Sequence, residues 1–146
     1  MILHDPKGVE RLRSVCTDTS MPSEGLLAAI DVLQITHSSM GVCAQTVLAA
    51  ISREKDIGFI AMFASRLPLM YRDVSPEQAR RILDVLENLL LDQKQEFTVR
   101  LMSSEALAQI GAPESAEMIR EAIPRAADPN LRASFERDLK TLEKKQ

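Results

Sequence analysis

The side chains in this chain best suited to nucleophilic or metal chemistry are Cys16, Cys43, His4 and His37. A cysteine with a histidine as its base would suit acyl or group transfer. His37 and Cys43 are the only candidates for such a pair, and no third group to orient the histidine is identifiable. The plainer reading places His37 at the end of a helix, on the face of Leu26, Ile30 and Leu33, where the helix C-terminus favours a cation. His4, beside Asp5, reads as surface. The four residues do not fall at the spacing of a structural zinc site. No catalytic residue, cofactor or metal ligand is therefore assigned.

Carboxylates are plentiful, but they alternate with basic residues, as in Arg80, Asp84 and Glu87 or Arg132, Glu136 and Lys140. That is the pattern of solvated helix faces. No carboxylate pair stands out as an acid and a base. Ser38-Ser39 reads as a helix cap and Ser103-Ser104 as mid-helix, and glycine-rich phosphate loops are absent. Cys16 and Cys43 follow an N-terminus with no secretory signal, so they are expected to be reduced thiols in a cytoplasmic protein.

The 146 residues suffice for one domain with a real core, residues 1–146, and 45% are apolar. Alternating runs of β-branched residues are missing, so the chain reads as all-α. A net charge of −3 without a dense basic stripe disfavours nucleic acid. The longest apolar run, Ile57 to Tyr71, is too short to span a bilayer.

Punctuation divides the chain into eight helices. Asp5-Pro6 opens the first, which carries Val9, Leu12 and Cys16 on one face. Leu26, Ala29, Ile30 and Leu33 form the stripe of the second. Ser38-Ser39 opens the third, which ends at Arg53 to Asp56. The fourth starts near Ile57 and is expected to stop or kink at Pro68. Ser75-Pro76-Glu77-Gln78 is a start signal for the fifth. The sixth runs from about Glu96 to Ile110 and stops at Gly111. The seventh starts at Pro113 and is disturbed by Pro124. The eighth starts at Asp128-Pro129 and ends in a charged tail expected to fray. Short connections favour antiparallel hairpins.

Two segments repeat. An offset of 32 residues superposes Val99 on Leu131, Arg100 on Arg132, Leu107 on Leu139 and Ile110 on Leu142, and a period of this size marks stacked repeats. Helix six carries apolar residues on two sides, as a helix between two neighbours must. Helix eight carries one stripe, as a terminal cap should. Arg100 and Arg132 read as a hydrogen-bonding ladder between repeats. Ile57 to Ala64 is apolar nearly all round and reads as a central, buried helix. Its alternative is an exposed groove or homo-oligomer contact, extending to Tyr71.

The run Val99-Arg100, then Glu105-Ala106-Leu107-Ala108-Gln109-Ile110-Gly111-Ala112-Pro113-Glu114, resembles a bacterial HEAT-like repeat of the armadillo/HEAT superfamily. The resemblance is best over residues 95–142. A looser copy over Ser39 to Leu67 aligns Leu48 with Leu107 and Ile60 with Ile119. The resemblance implies a right-handed α-α superhelix, a solenoid of about four antiparallel hairpins. It also implies a non-catalytic function: an adaptor, chaperone or regulatory subunit that binds a partner protein or peptide on the repeat surface. Arg66, Arg80, Arg81, Glu117, Arg120 and Glu121 are the residues named for that surface. Two alternatives stand beside it. One is an accessory or catalytic subunit of a lyase-type enzyme with a cleft formed by the repeats. The other is a self-assembling structural module.

Overall fold

A computed structural model describes residues 6–145. His4 and Asp5, named above, lie outside them. The described residues form eight α-helices: α1 (Pro6–Thr17), α2 (Ser23–Ile35), α3 (Ala44–Arg53), α4 (Ile57–Tyr71), α5 (Pro76–Leu91), α6 (Phe97–Ile110), α7 (Pro113–Ala122) and α8 (Pro129–Lys145). Short 3₁₀ turns occupy Gly41–Cys43 and Ile123–Arg125. No strand occurs among the described residues.

The boundaries follow local chemistry. The Ser75 hydroxyl oxygen accepts the Gln78 N–H at 3.2 Å, and the Asp56 carboxylate accepts the Gly58 N–H at 2.8 Å. Each side chain satisfies a donor that the first helical turn leaves unpaired. Gly111 ends α6 in the left-handed region, at φ 67°, where a Cβ would be costly. Two expectations are corrected: α3 begins after the 3₁₀ turn rather than at Ser38-Ser39, and α8 continues helically through Lys145. Of the expected stop or kink at Pro68, the stop is excluded. α4 runs through Pro68 without stopping. Leu67 and Met70, on either side of that proline, are fully buried. At about 2 kcal/mol each, they offset the ~3 kcal/mol that an interior proline costs.

Successive helices pack as antiparallel hairpins. Helices two apart also touch, which sorts them into two rows, α1, α3, α5, α7 and α2, α4, α6, α8. The result is the expected right-handed, HEAT-like α-α superhelix of four hairpins. α6 lies between α4 and α8 and packs on both, so its two apolar sides each find a neighbour. α8 buries Leu131, Phe135 and Leu142 on one side. The 32-residue offset links α6 to α8 within one row. The looser copy over Ser39 to Leu67 aligns α3 with α6, which stand in different rows, so it is out of phase with the repeat.

The segment Ile57 to Tyr71 is α4. Ile60, Ala61, Phe63, Ala64, Leu67 and Met70 are buried in the core, and Ile57 and Met62 reach the surface. Its apolar character is spent mainly on packing against α6, α3 and α5.

Among the described residues, Arg100 is the charged residue buried in this core, only 5% exposed. Its Nε donates to the Leu90 carbonyl at 3.0 Å and one terminal nitrogen donates to the Arg125 carbonyl at 3.4 Å. The guanidinium lies over the Phe135 ring, 5.6 Å from its centre. Arg132 holds the Ala126 carbonyl through two nitrogens, at 3.2 and 2.8 Å. Arg100 thus bridges adjacent hairpins as the ladder reading expects, whereas Arg132 bonds only within its own hairpin, which corrects the ladder reading for that residue.

The cysteines correct another expectation. Cys16 of α1 and Cys43 of the first 3₁₀ turn form a disulfide, with Cα atoms 4.6 Å apart and both residues fully buried. The argument for a cytoplasmic location from reduced thiols falls with it. Among the described residues no helix is long and apolar enough to cross a membrane.

Two outcomes follow for urea unfolding. Arg100→Met keeps most of the apolar stem but orphans the Leu90 and Arg125 carbonyls, and should cost about 2–4 kcal/mol. Arg100→Lys should recover only part of that, because an ammonium does not reproduce the fork. At Gly41, an added Cβ would stand 2.2 Å from the Asp73 carbonyl oxygen. Gly41→Ala should therefore cost about 2–3 kcal/mol, far more than a change confined to backbone entropy.

Candidate functional site

α6 and α8 stand side by side in one row, and each turns a polar stripe toward a shared cleft. Glu105, Ala108 and Gln109 fall at helical spacing on α6; Arg137, Asp138, Thr141 and Lys145 do so on α8. The cleft between them has a volume of about 310 Å³.

At its base the fully buried Ser104 donates its hydroxyl to Asp138 Oδ2 at 2.7 Å. That bond fixes the Asp138 carboxyl against α6. Asp138 is half-buried and Glu105 is exposed along the rim. Burial pushes the Asp138 carboxyl above its ordinary range, opposed by the Ser104 hydrogen bond and the Arg137 charge. Glu105 is also raised, first by partial burial and then by the negative charge of Asp138, with Arg137 opposing. Two carboxyls that resist ionisation, each sensing a nearby cation, can hold and release a proton closer to neutrality than free carboxylates do. Perturbed groups of this kind concentrate at functional sites.

This pair was not anticipated, since the acidic residues read as solvated faces. A signal was nonetheless present. Glu105 and Asp138 are 33 positions apart, one step from the 32-residue offset that superposes α6 on α8. Such an offset sets them at adjacent registers of neighbouring helices. A second groove, about 250 Å³, is more apolar: Leu48 and Ile51 of α3 face Val85 and Leu89 of α5, with Asp92 at its edge. It carries no comparable pair of ionisable groups.

The residues anticipated from sequence are dispersed. His37 is exposed and follows α2 in the left-handed conformation, φ 55°. Its neighbour Ser38 donates its N–H to the Leu33 carbonyl at 3.0 Å, closing the helix end. His37 is thus a helix stop. With Cys43 in a disulfide, the histidine–cysteine pair does not exist. Arg66 pairs with Asp31 at 3.3 Å and Arg80 with Asp84 at 3.2 Å. Arg120 pairs with Glu117 at 3.4 Å and Glu143 at 3.6 Å, which brings two of the anticipated residues together on α7. Arg81 and Glu121 are exposed. Among the described residues, no group of three or more His, Cys, Asp or Glu is placed to hold a metal ion.

No known family model matches the chain, and no curated protein sequence matches it. Among solved structures the fold is similar to that of human deoxyhypusine hydroxylase in complex with glycerol, with a TM-score of 0.65 and 21% identity. The match covers 94% of this chain and 44% of that one, so the chain spans less than half the length of the hydroxylase. At this identity the likeness establishes the helical fold. It also overturns the expectation of a non-catalytic adaptor, chaperone or regulatory subunit, because the structure that shares the fold is an enzyme. The bacterial character of the sequence resemblance finds no support in it either.

The raised carboxyls make a stability prediction with a definite sign. A group that resists ionisation in the folded state binds its proton more tightly there than in the unfolded chain. Its ionisation therefore costs stability as pH rises above the ordinary carboxyl range. Asp138→Asn retains an acceptor for Ser104 and removes that cost. It should raise the melting temperature near pH 7 by about 1–3 °C. The gain should shrink as pH falls through the ordinary carboxyl range, below which the carboxyl is protonated in both the folded and the unfolded chain. Thermal melts of both proteins between pH 4 and 7.5 check this; a gain that grows on acidification would contradict it.

Proposed function

We propose that the chain is an accessory or catalytic component of an enzyme, with the cleft between α6 and α8 as its working site. Asp138, held by Ser104, and Glu105 at the rim exchange a proton with the bound substrate, and Arg137 balances the charge left behind. The observation that carries this reading is the pair of carboxyls, both raised by burial, facing one cleft beside a cation. A lyase-type reaction fits such groups, because elimination needs one group to take a proton and another to supply one.

The reading treats residues 1–146 as a single helical-repeat domain and residues 95–142 as its HEAT-like part. As an accessory subunit it would meet its catalytic partner through exposed charge. Arg81 and Glu121 are the most available of the six residues named for that surface, since Arg66, Arg80, Arg120 and Glu117 are engaged in ion pairs within the chain. Self-assembly through Ile57 to Tyr71 has less to recommend it, with most of α4 committed to the core.

The test is to incubate the purified protein with a metabolite extract of its host, with and without the extract's protein fraction, and to follow the mixture by mass spectrometry. At least one metabolite should be consumed or produced in a time-dependent way. The doubly substituted protein, Glu105→Gln with Asp138→Asn, should lose that conversion by about 100-fold or more while remaining folded. Conversion that is unaffected by the substitutions, or absent under both conditions, removes the proposal.

A further inference from the structure

We propose that the Cys16–Cys43 disulfide is a redox latch that holds α1 against the rest of the stack, so that reduction releases α1 alone. The argument starts from how little else holds this helix. Cys16 is its one fully buried residue; Val9, Leu12 and Val15 are only partly buried. Its docking also leaves Arg13 Nε buried without a hydrogen-bond acceptor among the described residues, an unfavourable arrangement. By comparison, α3 buries six residues and α4 another six.

The other end of the bond is anchored. Cys43 ends the 3₁₀ turn that begins at Gly41, and the absence of a side chain at Gly41 lets this turn lie directly on the backbone of Asp73, between α4 and α5. Cys43 donates its N–H to the Met40 carbonyl at 2.9 Å, and both residues are buried. A covalent bond thus joins a lightly held helix to a firmly held turn. The connection after α1 is secured separately: Arg53 donates to the Thr19 carbonyl and, at 2.8 Å, to the Met21 carbonyl. Thr19 and Met21 follow α1, so the chain leading into α2 is held independently of the disulfide.

Opening the latch needs a dithiol reductant. One thiolate of the reductant attacks a sulfur of the bond and forms a mixed disulfide. Its second thiolate then displaces the chain's cysteine. The chain gains two electrons and two protons as two thiols, and the reductant becomes a disulfide. Both sulfurs are fully buried, so attack waits on a local lifting of α1. Once the bond is cut, the lifted state is no longer closed covalently. The faces of α2, α3 and the Gly41–Cys43 turn on which α1 packs then become available. This inference does not depend on the enzymatic reading above.

Hydrogen exchange read by mass spectrometry tests it on the intact chain, before and after treatment with dithiothreitol, with alkylation to count thiols. The oxidised protein should offer no alkylatable cysteine under denaturing conditions. Reduction under native conditions should free both cysteines and speed exchange in residues 6–17 by about tenfold or more. Exchange in α6, residues 97–110, should be unchanged. The doubly substituted protein, Cys16→Ser with Cys43→Ser, should behave like the reduced protein and ignore the reductant; the wild-type comparison stands even if that variant folds poorly. Free thiols before treatment, a bond that native reduction leaves intact, unchanged α1 exchange after reduction, or faster exchange throughout the chain would each overturn the latch.

Discussion

A stack of helical hairpins must terminate every helix against a neighbour, and each termination leaves carbonyls without donors. Arg100 meets that constraint here. It belongs to α6, but its guanidinium reaches the Leu90 carbonyl in the last turn of α5 and the Arg125 carbonyl in the 3₁₀ turn after α7. One side chain thereby closes the ends of two flanking helices while its plane covers Phe135 of α8. Burial pulls the guanidinium below its usual range, and the charge of Asp92 opposes that pull. The carbonyl bonds compensate the desolvation, which is why an arginine is tolerated inside the core. Arg132, one row-step along, bonds only within its own hairpin, to Ala126.

The cleft depends on this packing. Glu105 and Asp138 can share a site only if α6 and α8 approach closely. Ser103 and Ser104, both fully buried, keep α6 slim where it meets its neighbours. The Ser103 hydroxyl turns back onto the Val99 carbonyl at 2.8 Å, which leaves Ser104 to reach across the gap to Asp138. The cleft's chemistry and the row's geometry thus rest on the same short stretch of α6. The raised carboxyls work against stability at neutral pH, and the core around Arg100 absorbs that cost.

How much of this the sequence disclosed varies with the range of the interaction. The caps at Ser75 and Gly111, the helix starts at Pro76, Pro113 and Pro129, and the 32-residue offset were all legible, because each depends on residues near in sequence or on a repeated pattern. The persistence of α4 through Pro68 was not, since it is decided by burial against α6, which no local propensity reports. The phase of the Ser39 to Leu67 copy was misread because apolar spacing alone does not say which row a helix joins. Glu105 and Asp138 were passed over because an acidic residue on a helix looks solvated until its neighbour is known. The cysteines failed differently. Their pairing depends on α1 folding back onto the 3₁₀ turn, a tertiary contact that no local pattern reports.

The flanks of the described stack are secured by different chemistry. α8 is held by three buried apolar residues, by the Phe135 contact with Arg100 and by the Ser104–Asp138 bond. None of these is covalent, but together they fix the helix register by contacts spread along its length. α1 has one deep contact, and that contact is a disulfide. A covalent tether confines a helix without locking its register, because it constrains a single point along the helix. The α8 flank is therefore built from distributed packing. The flank with few buried side chains depends on one bond, whose state the surrounding redox chemistry can change.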